Sequence, residues 1–192
     1  MKGEYLAIVP ARAGSRRLPG KNFREFCGKP LWKWAWLGGK EACGKVVVTS
    51  DRECEDRDAR DDWMMRAMPL ATDEAPVWWA VEDVCYRLGW FGSVVLLQPT
   101  SPFRDMSHMI AAMHCFGGFA ADCPGAATVG SMRLLAEPDG GIYIMRWKGW
   151  ERKSEWGRIH VPCGPDIDTQ EDWDRALALV QSGVSTSHHS TT

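Results

Sequence analysis

Four cationic side chains, Arg12, Arg16, Arg17 and Lys21, crowd into one stretch, Pro10-Ala-Arg-Ala-Gly-Ser-Arg-Arg-Leu-Pro-Gly-Lys-Asn22. Such a crowd repels itself unless an anion sits among it. The small residues around Gly14 and Ser15 let the backbone approach a ligand. Main-chain N–H groups can then point inward, while guanidinium and ammonium groups neutralise phosphate oxygens. The stretch suits a polyphosphate. Two further segments carry chemistry. Leu96-Leu-Gln-Pro-Thr-Ser-Pro-Phe-Arg104 ends an apolar run in amide, hydroxyl and guanidinium groups, and Asp166-Ile-Asp168 sets two carboxylates two positions apart. Alternate residues of an extended chain share a face, so Asp166 and Asp168 suit a single ion. Together the three segments indicate nucleotide activation of a small acceptor.

Each segment also has a plainer reading. The general phosphate-loop pattern G-x-x-x-x-G-K-[ST] fails here: Gly14 and Gly20 lie one residue too far apart, and Asn22 stands where a hydroxyl is required. A basic strand-end loop without a ligand is the bland alternative. Asp168 with Glu171 three residues on has capping-box spacing, so the pair could serve the last helix alone or both roles. Gln98 and Arg104 fit a strand-end turn as well as a substrate site, and Tyr143 fits a half-buried core position equally well. Glu82 and Asp83 read as a solvated helix face.

The elements that must position these groups follow from hydrophobic pattern. Residues 5–9, 45–49 and 93–97 are short apolar runs, each followed by polar turn chemistry. Fully apolar strands separated by helical stretches predict a parallel sheet covered on both faces. A helix is predicted from Leu31 after Pro30, closed by Gly38-Gly39. Charged residues 52–65 predict a solvated surface helix. Another helix spans 76–88, with Trp79, Val84 and Leu88 near one face, and another 106–116. Residues 141–145 predict a strand. Asp172 to Gln181, with Trp173, Ala176, Leu177 and Val180 at helical spacing, predicts the final helix. Residues 117–138 are rich in glycine and alanine and weakly patterned. The predicted fold is α/β: a Rossmann-like, doubly wound, mainly parallel sheet with helices on both faces. Ligands in such sheets bind beyond the carboxyl ends of the strands, which puts the loops after residues 9, 49 and 97 on one rim.

The bulk numbers agree with a globular protein. The chain has 192 residues, 45% of them hydrophobic and 25% charged, and a formal charge of −2. That balance argues against a nucleic-acid partner. Length predicts a single domain over 1–182, followed by a disordered Ser/Thr/His tail over 183–192. Seven cysteines form no C-x-x-C pair and read as reduced, mostly buried thiols. With no apolar span or leader in the sequence, no membrane partner and a cytoplasmic setting are expected. Eleven tryptophans read as packing in the main, with a stacking platform as the minority reading.

Residues 10–22 closely resemble the Pro-Ala-Arg-x-Gly-Ser-Lys-x-Ile/Leu-Pro-x-Lys-Asn signature of the acylneuraminate cytidylyltransferase family. The resemblance continues in order through Gly28-Lys-Pro-Leu31, Val48-Thr-Ser-Asp51, Arg66-Ala-Met-Pro-Leu-Ala-Thr-Asp73, Leu97-Gln-Pro-Thr-Ser-Pro-Phe-Arg104, Gly140-Gly-Ile-Tyr143 and Asp166-Ile-Asp-Thr-Gln-Glu-Asp-Trp173. It covers roughly residues 4–180. Related KDO-activating enzymes carry Gly-Asp-Glu-Pro where this chain has Gln98-Pro-Thr-Ser-Pro102, so the sialic acid branch is nearer. The resemblance implies that Arg12, Gly14, Ser15, Arg16 and Lys21 hold the phosphates of CTP and that Asn22 contacts the ribose. Arg66 would engage the nucleotide, and the backbone from Ala75 to Val77 would read cytosine. Gln98, Arg104 and Tyr143 would serve the acceptor, while Asp166 and Asp168 hold Mg²⁺. Arg12, Lys21, Asp166 and Asp168 would be catalytic.

Two departures bear on the acceptor half. Only residues 105–139 fill a gap that in the family holds a projecting dimerisation element, so a monomer or a differently built dimer is expected. Glu137-Pro-Asp139 stands where the family often has Arg-Pro-Asn, replacing a cation beside the sugar carboxylate by an anion. Arg133 or Arg104 is a candidate compensating cation. The reading is a Mg²⁺-dependent transfer of CMP from CTP to a sialic-acid-like 2-keto sugar acid, with release of pyrophosphate. Its alternatives are a nucleotidyltransferase for a different, non-sialic acceptor, or a non-catalytic nucleotide-binding relative.

Overall fold

Apolar runs too short for helices and rich in valine and isoleucine form the middle of a seven-stranded sheet in the computed structural model. The structure describes residues 5–104, 106–122, 128–132, 138–146, 157–158 and 165–184. Its strands are β1 (Tyr5–Pro10), β4 (Lys45–Ser50), β5 (Trp63–Met65), β6 (Ser93–Leu96), β7 (Thr128–Met132), β8 (Pro138–Met145) and β9 (Gly157–Arg158). Their order across the sheet is β5-β4-β1-β6-β8-β7-β9. The β1, β4, β5 and β6 strands run parallel, whereas β8 is antiparallel to both β6 and β7. A two-stranded ribbon, β2 (Glu25–Phe26) and β3 (Lys29–Pro30), lies apart from it. The ribbon turns at Cys27 and Gly28, both with positive φ.

Among the described residues there are four α-helices: α1 (Leu31–Cys43), α2 (Val77–Leu88), α3 (Met106–Asp122) and α4 (Gln170–Gln181). Because strand side chains alternate, β1 feeds two cores. Ala7 and Val9 join Trp32, Ala35, Trp36, Met109 and Met113 of α1 and α3 on one face; Leu6 and Ile8 join Val81, Val84 and Cys85 of α2 on the other. Helices therefore cover both faces, as the strand pattern requires.

A third cluster matters most for the site. Leu18 of the cationic loop, Phe103, Ile167, Phe26, Leu31, Trp34, Trp173 and Ala176 pack together. Trp34 Nε1 also donates to the Phe26 carbonyl at 2.9 Å. Ile167 is fully buried between its two aspartates and acts as an apolar peg. It draws Asp166-Ile-Asp168 against the loop and against the segment after β6.

Several predicted elements are corrected. Residues 52–65 are not a helix but turns, a 3₁₀ turn at Arg60–Asp62 and the edge strand β5. Asp56 accepts the Asp58 N–H at 3.0 Å, a local turn that competes with helix, and Trp63-Met-Met pairs with β4. Gly38-Gly39 does not end α1, which runs on to Gly44, its C-cap with φ 77°. A Cβ on Gly39 would lie 2.9 Å from Ala7 Cβ, so this glycine brings helix and sheet together. In α2 the buried face is Ala80, Val81, Val84 and Cys85, while Trp79 and Leu88 are exposed. The α3 helix extends to Asp122, past the expected 116. Thr169, not Asp168, caps α4, in a capping box with Asp172. Of the tryptophans, Trp32, Trp34, Trp36 and Trp173 are buried in packing. Arg133, Glu137 and tail residues 185–192 lie outside the described residues.

Candidate active site

The carboxyl ends of β1, β5 and β6 open onto a cavity of about 490 Å³. Arg12, Gly14, Ser15, Arg16, Lys21 and Asn22 line one wall. Arg66, Thr72, Asp73, Ala75 and Val77 form a second, and Gln98, Thr100 and Asp168 a third. Residues from four distant parts of the sequence thus share one space. Ala13 N–H donates to the Asp51 carboxylate at 2.7 Å, which pins the loop to the end of β4. Gly20, with φ 66°, turns the chain into the 3₁₀ turn that carries Lys21 and Asn22.

Lys21 is nearly buried and reaches across to the other end of the chain. Its ammonium donates to Asp168 Oδ1 at 2.5 Å and to the Ile167 carbonyl at 3.0 Å. Arg17 takes the other oxygen of Asp168 at 2.7 Å. Asp166 sits behind the cavity wall and accepts from the Ser101 hydroxyl at 3.1 Å, while Ile167 N–H donates to the Thr100 carbonyl at 2.8 Å. The Gln98–Ser101 loop therefore holds the acid pair in place. Burial pushes the Asp166 carboxyl above its usual range, and the neighbouring charge of Asp168 adds to the rise. The charge of Lys21 and the hydroxyl of Ser101 offset part of that rise.

Arg66 is buried and braces the rim. Its guanidinium donates to the Thr49 carbonyl at 2.8 Å, and burial lowers its pKa to about 10. Asn22 donates to the Arg12 carbonyl at 2.9 Å, and its buried Oδ1 has no hydrogen-bond partner among the described residues. Asn22 as a residue lines the cavity wall.

Not every predicted site residue lines the cavity. Arg104 is buried and donates to the Gln98 carbonyl at 2.8 Å, so it shapes the loop from behind. Tyr143 faces the α2 side of the sheet, edge-on to Trp78 at 5.9 Å between ring centroids. Asp139 lies in β8. Sequence reasoning gave no role to Asp73, Glu74, Asp51 or Ser101. Asp73 takes both Arg12 and Arg16 from about sixty residues away, a pairing that no spacing rule foretells.

Among the described residues no group of three or more His, Cys, Asp or Glu side chains converges. Mg²⁺ commonly takes one or two carboxylates and completes its shell with waters and substrate phosphates. Asp166 and Asp168, one desolvated and one at the cavity wall, fit that donor set.

A family model described as cytidylyltransferase matches residues 6–111, more than half of the chain. The chain belongs to the cytidylyltransferase family. It is 41% identical over 110 residues to the CMP-N,N'-diacetyllegionaminic acid synthase of Legionella pneumophila, a match covering 52% of this chain and 47% of that protein. The N-acylneuraminate cytidylyltransferase of Escherichia coli is 36% identical over 121 residues, covering 60% of this chain and 29% of its own. A 3-deoxy-manno-octulosonate cytidylyltransferase of Methylococcus capsulatus is 31% identical over 187 residues, covering 96% and 68%. The chain thus spans about half or less of the first two relatives. In three dimensions it is similar to a CMP:2-keto-3-deoxy-manno-octonic acid synthetase complexed with CTP. The TM-score is 0.67 at 15% identity, covering 94% of this chain and 99% of that one, a likeness of fold. The acylneuraminate resemblance and the Rossmann-like α/β fold expected of this cytidylyltransferase are both borne out. No helix among the described residues is long and apolar enough to cross a membrane.

Proposed function

We propose that this cytidylyltransferase moves CMP from CTP to a sugar acid and releases pyrophosphate, with a sialic-acid-like 2-keto sugar as acceptor. The observation that carries the reading is the Lys21–Asp168 contact at 2.5 Å, which brings the cationic loop and Asp168 to one cavity, with Asp166 behind its wall. The names of the relatives support the choice of CTP and of a sugar acid.

In nucleotidyl transfer an acceptor hydroxyl attacks the α-phosphorus and pyrophosphate leaves. Positioning and charge neutralisation dominate, because the protein forms no bond of its own. Arg12, Arg16 and Lys21 neutralise the β- and γ-phosphates as charge builds on the leaving group. Gly14 and Ser15 give the backbone close approach to them. Asn22 Oδ1 accepts from a ribose hydroxyl, and the chain at Ala75 and Val77 meets the base at the start of α2. Gln98 meets the acceptor at the cavity wall, Arg104 fixes that loop, and Tyr143 pairs with Leu96 of the strand that leads into it. Asp166 and Asp168 would hold Mg²⁺, which supplies charge neutralisation at the phosphate under attack.

The test is pyrophosphate release from CTP and Mg²⁺ across a panel of 2-keto sugar acids. Release that requires acceptor and metal, and that Asp168→Ala abolishes while CTP still binds, is the expected result. If no sugar acid releases pyrophosphate, the acceptor assignment is wrong.

A further inference from the structure

Every cation of the phosphate loop already holds a carboxylate. Lys21 and Arg17 share Asp168. On the opposite side, Arg12 bonds Asp73 Oδ1, Arg16 Nε bonds Asp73 Oδ2 at 2.5 Å, and Arg16 Nη2 bonds Glu74 at 2.5 Å. Asp73 lines the same cavity as both arginines, and its side chain is only about a quarter exposed. The two acids sit on a short strap. Arg66 anchors one end of it at β4, α2 begins at the other, and the Thr72 hydroxyl accepts from Ala75 N–H at 3.2 Å within it.

A guanidinium N–H directed at a carboxylate oxygen is not free for a phosphate oxygen, and a triphosphate beside Asp73 meets like charge. Polyphosphate entry is therefore an exchange of ion pairs. Resting on the proposed function, we infer that Asp73, assisted by Glu74, is a carboxylate latch that competes with polyphosphate for Arg12 and Arg16. The latch occupies the two arginines in the free protein and releases them as the triphosphate takes its place. It also weakens the hold on pyrophosphate after transfer.

The latch makes a distinctive prediction about salt. In the wild type, the incoming phosphates displace an internal carboxylate. Without the latch, the arginines gather solution anions that the ligand must release, so binding becomes more sensitive to salt. Asp73→Asn keeps the size of the side chain and removes its charge.

Titration calorimetry with inorganic tripolyphosphate and with CTP, at about 50 and 300 mM KCl, reads both effects. Asp73→Asn is expected to bind tripolyphosphate roughly five- to twenty-fold more tightly at low salt, and to lose more of that affinity at high salt than the wild type does. Glu74→Gln, at a more exposed pair, is expected to gain about two-fold. Equal or weaker binding by Asp73→Asn, or an unchanged salt response, overturns the latch. Should Asp73→Asn fail to fold, unchanged or weaker binding by Glu74→Gln overturns it instead. Wild-type protein that binds neither ligand would sink the nucleotide site itself, and the latch with it.

Discussion

Replacing Lys21 with methionine isolates the contact on which the site depends. The substitution keeps an unbranched apolar stem in a nearly buried position and removes the ammonium that bonds Asp168 at 2.5 Å and the Ile167 carbonyl at 3.0 Å. Hydrogen bonds to charged groups contribute about 1.5–3 kcal/mol each, and stripping one partner from a buried ion pair costs about 3–5 kcal/mol. Asp168 keeps Arg17 and is 29% exposed, so its loss falls at the low end. The expected destabilisation is about 2–3 kcal/mol, which in a chain of this length lowers Tm by about 5–10 °C. The lost phosphate partner should weaken CTP binding by about ten- to a hundred-fold. Thermal melts with and without CTP, together with calorimetric titration, measure both effects. Lys21→Arg, which keeps the charge, should recover part of each. A Tm within about 1 °C of wild type and unchanged CTP affinity would refute the reasoning.

Two further outcomes follow from the geometry. Burial holds the folded-state pKa of Asp166 above its unfolded value. The native state then binds more protons than the unfolded one across the window between those two values, so this group's contribution falls as pH rises through it. Asp166→Asn should therefore raise Tm at pH 7 in chelator-treated protein while abolishing turnover, and the gain should shrink toward pH 4; a loss at every pH would contradict the burial argument. Gly39→Ala should cost about 1–3 kcal/mol by forcing α1 away from the sheet, since the new Cβ would meet Ala7 Cβ at 2.9 Å and Val46 Cγ2 at 3.0 Å. Denaturant titration at constant m checks it, and wild-type stability would show that the contact relaxes freely.

How much of this was legible in the sequence depended on whether the signal was local. The strands at 5–10, 45–50 and 93–96 announced themselves through uninterrupted apolar residues, and Trp173 and Ala176 fixed the buried face of α4. Residues 52–65 misled because dense charge resembles a solvated helix, whereas the Asp56 turn and the Trp63-Met-Met edge pairing are decided by β4. Gly38-Gly39 read as a stop because close approach of a helix to a sheet leaves no mark in one sequence. The cationic loop and the acid pair were visible as motifs. Their convergence rests on Ile167, whose burial beside Leu18 and Phe103 is a tertiary fact. Asp73 stood out only as the end of a motif; its partners lie too far along the chain for spacing to reveal them.

The loop at residues 12–21 and the acids at 166 and 168 are proposed to grip one triphosphate, and a crystal structure with CTP and Mg²⁺ is the decisive measurement. The phosphate chain is expected between Arg12, Arg16 and Lys21 on one side and Asp168 on the other, with the base against Ala75 and Val77. A nucleotide bound elsewhere, or Asp168 turned away from the phosphates and the metal, would contradict it.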